Sequence, residues 1–298
     1  MAAGAPPGVI ADQRRDTAVR HRAAVLGTPI GHSLSPVLHR AAYQALGLDD
    51  WSYEALECDE SALPGLVAGL DPMWRGLSLT MPLKRSVIPL LDAVSPLATA
   101  VGAVNTVTWR GSGRLRTGDN TDVPGLVAAL ADSGVTAAGS ACVLGGGATA
   151  ASAVAALGEL GCPSPVVQVR SAARAADLLV AAERLGVQPV LSGFEDLDVA
   201  LSADVVICTL PAEAGAAWSR RLAGVDRPVG LLLDVTYHPW PTAAAQAWTT
   251  AGGRAVGGFG MLLHQAGLQV RLMTGEEPPL EAMRRAGEAE LARRPFGD

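Results

Sequence analysis

Lysine is almost absent from this chain. Of the 23 lysine and arginine residues among its 298 positions, a single one, Lys84, is lysine. A surface that uses arginine everywhere else does not need lysine for its charge. Arginine stays protonated, whereas a buried lysine can give up and regain a proton. The exception therefore points to acid–base chemistry at Lys84, with an ordinary surface lysine as the alternative.

Cysteine and positive charge are also scarce. The net charge of −6 argues against a general nucleic-acid binder. The four cysteines form no C-x-x-C pair, as expected in a reducing cytosol, and stand at positions 58, 142, 162 and 208. We predict no metal, because no metal-ligand pairing involves the histidines at 32, 39, 238 and 264.

Long uninterrupted apolar segments are missing. The longest charge-free stretch, residues 133–158, contains Gly139 and the triplet 145–147, so a strand, a turn and a helix suit it better than a membrane span. Residues 1–21 have no apolar core of a secretory signal, and we expect a disordered lead-in there. We therefore predict a cytoplasmic globular protein with no membrane partner.

Short apolar strands alternate with helical segments, which is typical of α/β architecture. Residues 23–27 are the first predicted strand, and a helix is predicted from Pro36 with Ser35 as its N-cap. A second run of strands begins at residues 141–144. We place a domain boundary near residues 122–124, and no internal repeat is visible.

The second run opens with a glycine-rich turn between a strand and an alanine-rich helix. The turn reads Gly145-x-Gly147-x-x-Ala150. In this pattern the first glycine makes the turn, the second lets the backbone approach a pyrophosphate, and the third small residue lets helix and strand pack closely. The free N–H groups of the helix start would bind the phosphates. The pattern predicts a bound dinucleotide, and a glycine turn without a ligand is the alternative.

The end of the next strand indicates which dinucleotide is bound. A site for NAD carries an acidic residue there for the ribose hydroxyl, whereas arginine accommodates the 2′-phosphate of NADP. This chain has Arg170, Ser171 and Arg174 and no carboxylate between 169 and 174. We therefore predict NADP rather than NAD, unless these arginines are only solvated surface charges.

Polar side chains cluster at strand ends and loops of the first half, where α/β proteins form their sites. They fall in sequence blocks that, with two more late in the chain, span residues 27–36 with its S-x-S-P motif, 78–84 with Lys84, 102–106, 118–122, 234–239 and 258–265. In content and order these blocks resemble the shikimate dehydrogenase family.

The resemblance implies a reversible reduction of 3-dehydroshikimate to shikimate by NADPH, within aromatic amino acid biosynthesis. It implies an N-terminal open α/β sandwich for the substrate, a Rossmann domain for the cofactor, and C-terminal helices that return to the first domain. The domains would be residues 22–122 plus 259–298, and residues 123–258. A monomer and a homodimer both remain open.

The resemblance also assigns roles to individual residues. Lys84 and Asp122 would act at the reacting carbon, with Lys84 as the proton donor. The substrate would be bound by Ser33, Ser35, Thr80, Asn105, Tyr237 and Gln265. The cofactor would be bound by Gly145, Gly146, Gly147, Ala148, Thr149, Arg170, Ser171, Arg174, Thr209, Leu210, Val235 and Gly258. Singly, several of these have simpler explanations: Ser35 or Asp122 as a helix cap, Asn105 as a turn residue and Tyr237 as a packed aromatic.

Three other functions stay open at this point. A quinate or aminoshikimate dehydrogenase would share the superfamily, although quinate enzymes often carry threonine at the second serine and an acidic residue selecting NAD. A non-catalytic paralogue could bind the same ligands without turnover. A methylenetetrahydrofolate-type dehydrogenase shares the layout but lacks the S-x-S-P and N-T-D blocks. The chain departs from the family's usual residues mainly around the cofactor, at Ala148, Ala151, Val169 and Leu210, and at Val123.

Overall fold

A computed structural model describes residues 19–110, 115–225 and 228–295. The chain forms two sheets of six strands each, and helices cover them. The first half contains β1 (His21–Gly27), α1 (Ser35–Leu46), β2 (Trp51–Glu57), α2 (Leu63–Ala68), β3 (Trp74–Leu79), α3 (Leu83–Ser86), β4 (Ala93–Val94), α4 (Pro96–Val101), β5 (Thr106–Arg110), β6 (Leu115–Asp119) and α5 (Asp122–Asp132).

The second half repeats the alternation of strands and helices. It contains β7 (Ala141–Leu144), α6 (Ala148–Glu159), β8 (Val166–Gln168), α7 (Ala176–Leu185), β9 (Val190–Ser192), α8 (Leu197–Ser202), β10 (Val205–Cys208), α9 (Ala212–Ser219), β11 (Leu231–Asp234), α10 (Ala243–Thr250), β12 (Arg254–Gly257), α11 (Phe259–Thr274) and α12 (Leu280–Arg293). None of the helices in these described ranges is long and apolar enough to cross a bilayer.

The first sheet is mixed, in the order β2-β1-β3-β5-β6-β4. Strand β1 pairs in parallel with both β2 and β3, and β5 runs antiparallel to β3 and β6. Residues 111–114, which connect β5 and β6, lie outside the described residues. Because β1 and β3 end side by side, the loops after Gly27 and Leu79 open at one edge of the sheet.

The second sheet is entirely parallel, in the order β12-β11-β10-β7-β8-β9. This is the doubly wound order in which a ligand crevice lies where the strand order reverses, here between β7 and β10. Every residue of β7, β10 and β11 is buried, as expected for strands covered by helices on both faces. The α/β fold class with a Rossmann half is confirmed.

The C-terminal helices return to the first half. Helix α12 packs along α1, while α11 packs on α5, β3 and β5. The approach of α11 to β3 is close, because a Cβ added at Gly76 would lie 2.4 Å from the Cγ of Met273. Residues at the far end of the chain therefore reach the edge of the first sheet where β3 ends.

Several local predictions need correction. Helix α1 begins at Ser35 itself, and no side chain caps it; instead the Ser33 hydroxyl accepts the Ser35 N–H at 3.3 Å. A short 3₁₀ turn at residues 172–175 precedes α7. Of the predicted lead-in, residues 1–18 lie outside the described residues, and His21 already belongs to β1.

The four cysteines are free and buried. Burial raises the pKa of the Cys142 thiol to about 12, and it raises the pKa of the Cys208 thiol further. Because the thiolate is the reactive form, these side chains behave as small apolar residues of the core.

Candidate active site

Lys84 and Asp122 form a close ion pair within the first half of the chain. The Lys84 Nζ lies 2.6 Å from Oδ2 of Asp122, and the side chains are 13% and 5% exposed. The other carboxylate oxygen accepts a hydrogen bond from Nδ2 of Asn105 at 2.7 Å. A charge-assisted contact of this length fixes the direction of the ammonium group.

The loop before α5 leaves the Asp122 carboxylate free for this pairing. The N–H groups of Asp122 and Val123 donate to Oδ1 of Asn120 at 3.0 and 3.2 Å. Asn120 thus satisfies the open helix end, which is the usual task of an Asn at this position. The interpretation of Asp122 as a helix cap is therefore wrong.

Asn105 is itself held in one orientation. Its Oδ1 accepts the backbone N–H of Thr121 and the hydroxyl of Thr106, both at 2.8 Å. With its oxygen bound on that side, its amide N–H₂ must face Asp122. Asn105 is 1% exposed and lies behind the ion pair, rather than in the wall of the cavity described next.

A cavity of about 300 Å³ opens in front of the ion pair. It lies at the edge where β1 and β3 end and where α11 returns. Seven of the residues predicted for catalysis or substrate binding line it: Ser33, Ser35, Thr80, Lys84, Asp122, Tyr237 and Gln265. The wall thus offers hydroxyls, an amide, an ammonium group and a carboxylate, which suits a small, oxygen-rich molecule.

A second cavity of about 590 Å³ lies over the glycine-rich turn. Nine of the residues predicted for the cofactor line it: Gly145, Gly146, Gly147, Ala148, Thr149, Arg170, Arg174, Thr209 and Leu210. Ser171 is not part of its wall, and Val235 and Gly258 line the first cavity instead. Arg85 also faces the second cavity and pairs with Asp177 of α7.

The glycine-rich turn is shaped for a ligand that approaches the backbone. Gly145 has φ +117°, and a Cβ there would lie 2.5 Å from the Thr209 hydroxyl. A Cβ at Gly146 would lie 2.5 Å from the Arg174 carbonyl oxygen, whereas one at Gly147 would meet nothing within 4 Å. The backbone at Gly147 is therefore open to the cavity, and α6 begins at the next residue, so its N–H groups can bind phosphate. These residues fit a dinucleotide.

The two cavities meet at Lys84. Four residues line both of them: Thr80, Met81, Lys84 and Thr149. Met81 is 66% exposed at this junction. A molecule in one cavity and a molecule in the other would therefore face each other beside the lysine ammonium group.

Within residues 19–110, 115–225 and 228–295, no three histidine, cysteine or acidic side chains come together as a metal site.

Models of two protein families match this chain. A shikimate dehydrogenase substrate-binding domain matches residues 25–107, and a shikimate 5′-dehydrogenase C-terminal domain matches residues 258–286. The shikimate dehydrogenase (NADP(+)) of Geobacter metallireducens is 35% identical over 90% of this chain and 96% of its own length. The chain belongs to the shikimate dehydrogenase family.

Solved structures of this family have the same fold. Mycobacterium tuberculosis shikimate dehydrogenase is 42% identical, with a TM-score of 0.81 over 91% of this chain and 99% of that one. The Thermus thermophilus enzyme, in complex with NADP(H) and shikimate, is 34% identical with a TM-score of 0.74 over 90% and 99%. A Corynebacterium glutamicum quinate dehydrogenase in complex with NAD is 28% identical, with a TM-score of 0.77 over 90% and 99%.

Two further residues of this shikimate dehydrogenase homologue face the first cavity but were absent from our prediction. Ser78 and Gln269 line it, and the Ser78 hydroxyl donates to Oε1 of Gln269 at 2.8 Å. Ser78 lies in β3 two residues before Thr80, which directly follows that strand, and Gln269 stands four residues after Gln265 on α11. The periods of strand and helix could have identified both.

These two residues continue a buried chain of hydrogen bonds that ends at the ion pair. The Tyr53 hydroxyl donates to Ser78 Oγ at 2.6 Å, and Nε2 of Gln269 donates to Thr106 Oγ1 at 3.0 Å. Thr106 donates in turn to Asn105. Every donor points toward the Asp122 carboxylate, because an ionised carboxylate can only accept.

Proposed function

We propose that this protein is a shikimate dehydrogenase that reversibly reduces 3-dehydroshikimate to shikimate with NADPH. The observation that carries the proposal is the Lys84–Asp122 pair at the junction of two cavities. One cavity suits a small polar acid, and the other suits a dinucleotide. Relatives named shikimate dehydrogenase (NADP(+)), matching over most of the chain, support the same reaction.

In the first cavity, we assign Ser33 and Ser35 to the substrate carboxylate. Thr80, Tyr237 and Gln265 would bind carboxylate or hydroxyl oxygens from the surrounding wall. Asn105 was predicted to contact the substrate, and we now assign it to hold Asp122 in place, because its amide already donates to that carboxylate.

Lys84 would supply the proton of the reaction. NADPH, when bound, supplies the hydride, and its addition to a ketone leaves an alkoxide that needs a proton. The Lys84 ammonium group can donate that proton, and in the reverse direction the neutral amine can take it back. Asp122 accepts the lysine N–H and holds Nζ at the junction. Because Lys84 is 13% exposed, solvent can restore its proton after each turnover.

In the second cavity, the start of α6 and the open backbone at Gly147 would bind the pyrophosphate. Arg170 and Arg174 would bind the 2′-phosphate, which favours NADP over NAD. Gly145, Gly146, Ala148, Thr149, Thr209 and Leu210 complete this wall. Ser171 would act from the strand end next to Arg170, and Val235 and Gly258 would meet the cofactor where it enters the first cavity.

The domain division predicted from the sequence remains our proposal. Residues 22–122 with 259–298 would bind the substrate, and residues 123–258 would bind the cofactor. Four free, buried cysteines are consistent with a cytoplasmic enzyme.

The test measures formation of reduced nicotinamide from NADP⁺ or NAD⁺ with shikimate, quinate and aminoshikimate. We expect turnover with shikimate and NADP⁺. Lys84→Met should lower kcat by about 10²–10⁴-fold, the usual contribution of a positioned acid or base. Lys84→Arg is the matched control, because it keeps the positive charge but cannot give up a proton; it should be as inactive as Lys84→Met.

Shikimate binding to each folded variant, followed by protein fluorescence, separates binding from catalysis. Rapid turnover by Lys84→Arg would contradict the assigned proton transfer. Preference for quinate with NAD⁺ would replace the proposed substrate and cofactor, and binding without turnover in the wild type would indicate a non-catalytic paralogue.

A further inference from the structure

The end of the last helix lies against the loop that leads into α1. Helix α12 packs along α1 and ends at Arg293. The next residue, Arg294, turns inward, and its Nη1 donates to the backbone carbonyl of His32 at 2.6 Å. Its side chain is 16% exposed, whereas that of Arg293 is 75% exposed. Two neighbouring arginines thus have opposite environments.

The guanidinium of Arg294 is oriented from two sides. Its Nε lies 3.5 Å from Oε1 of Glu290, one helical turn earlier, while Nη1 is directed to the loop. The hydroxyl of Tyr237 also reaches the His32 carbonyl, at 3.4 Å. Burial raises the pKa of Tyr237, and the nearby positive charge of Arg294 acts in the opposite direction. Arg294 therefore lies beside Tyr237 and contacts the backbone of His32, the residue that precedes Ser33.

The first cavity has little positive charge at this end. Among the described residues of its wall, the basic ones are Lys84 and His32, and Lys84 is paired with Asp122. Ser33, Ser35 and Tyr237 offer only neutral hydroxyls. A carboxylate bound to these hydroxyls would gain from a fixed cation nearby, since a partly buried charge is screened less than an exposed one.

We infer that Arg294 is a positioning residue for the acid group of the substrate: it fixes the loop through the His32 carbonyl and adds a positive charge behind Ser33 and Tyr237. This inference rests on the proposed function, because it assumes that a carboxylate binds at this end of the cavity. Arg294 touches the loop and not the substrate, so its effect should be on binding rather than on proton or hydride transfer.

The experiment compares Arg294→Ala with Arg293→Ala in the full chain. For Arg294→Ala we expect the KM for shikimate to rise about three- to fivefold, the effect of a partly exposed charge close to a bound ion. Its kcat and its KM for NADP⁺ should stay within about twofold of the wild type. Arg293→Ala should leave all three constants unchanged. Arg294→Lys keeps the charge but not the planar fork, and should give an intermediate KM.

A second ligand separates charge from a merely structural role. Shikimate methyl ester is uncharged, so its inhibition constant should rise less in Arg294→Ala than the KM for shikimate does. An equal loss for the acid and the ester would mean that Arg294 only stabilises the loop, and an unchanged KM for shikimate would also overturn the inference. Failure of the wild type to oxidise shikimate would instead refute the proposed function, which the same assay reports separately.

Discussion

His39 should make this protein lose stability in mild acid. The imidazole is fully buried in α1 and stacks on Tyr53, with ring centroids 3.8 Å apart. Its Nδ1 lies 2.9 Å from the Ser35 carbonyl oxygen, which can only accept, so Nδ1 carries the proton of the neutral ring. Its Nε2 is buried with no partner among the described residues. Burial lowers the pKa of His39 from 6.5 to about 4.

The size of the effect follows from proton binding in the two states. Between pH 6.5 and 4, the unfolded chain binds a proton at His39 that the folded chain does not. The unfolding free energy is therefore not reduced by His39 protonation above pH 6.5, and it falls as the pH drops from there toward 4. Taking the pH from 7 to 5 should remove about 2 kcal/mol of unfolding free energy through His39 alone.

The assay is urea unfolding of the wild type and His39→Phe at pH 7, 6 and 5. Phenylalanine keeps the stacking on Tyr53 but cannot titrate, so the variant should lose about 2 kcal/mol less than the wild type over this range. Tyr43→Phe is the matched control, because it alters the same pocket and should keep the full pH dependence. Parallel pH curves for the wild type and His39→Phe would refute the reasoning.

Three further outcomes can be checked. Gly146→Ala places a methyl group against the Arg174 carbonyl oxygen, so NADPH titration should give a Kd raised about tenfold or more, with shikimate binding unchanged as its internal control. The double variant Arg170→Gln with Arg174→Gln should raise the KM for NADP⁺ by roughly tenfold or more and leave the KM for NAD⁺ nearly unchanged. An equal rise in both KM values would contradict the 2′-phosphate assignment. Gln269→Leu removes the partner of two buried hydroxyls and should lower the unfolding free energy by about 2–4 kcal/mol, as measured by thermal unfolding. An unaltered Tm would argue against the hydrogen-bond chain.

Much of the site could be predicted because its chemistry is local in the sequence. Gly145 needs a positive φ, and a Cβ at Gly145 or Gly146 would be too close to its neighbours, so both positions are restricted to glycine. Lys84 was identified because it is the sole lysine of an arginine-rich chain. The site was also expected at strand ends and loops, and the loops after β1 and β3 do lie at one edge of the sheet.

What could not be predicted depends on contacts between distant residues. Ser78 and Gln269 are 191 positions apart and bond directly, and no pattern in either segment indicates the other. Ser35 looked like an N-cap because serine before Pro36 is a common helix start, but the preceding loop places the helix boundary one residue earlier. Arg294 looks like any arginine at the end of a helix until α12 is packed against α1.

Because Lys84 is the sole lysine, amine-reactive compounds can modify a single side chain of this enzyme. In most proteins, amine-reactive compounds modify dozens of surface lysines, and the reacting site is lost among them. Here the one side-chain amine stands at the junction of both cavities, so acylation reports on that junction and on the chain's amino terminus alone. The fraction of Lys84 that added ligands protect from acylation would measure the fraction of occupied sites. Reductive methylation with ¹³C would give one side-chain NMR signal that follows the protonation of this amine.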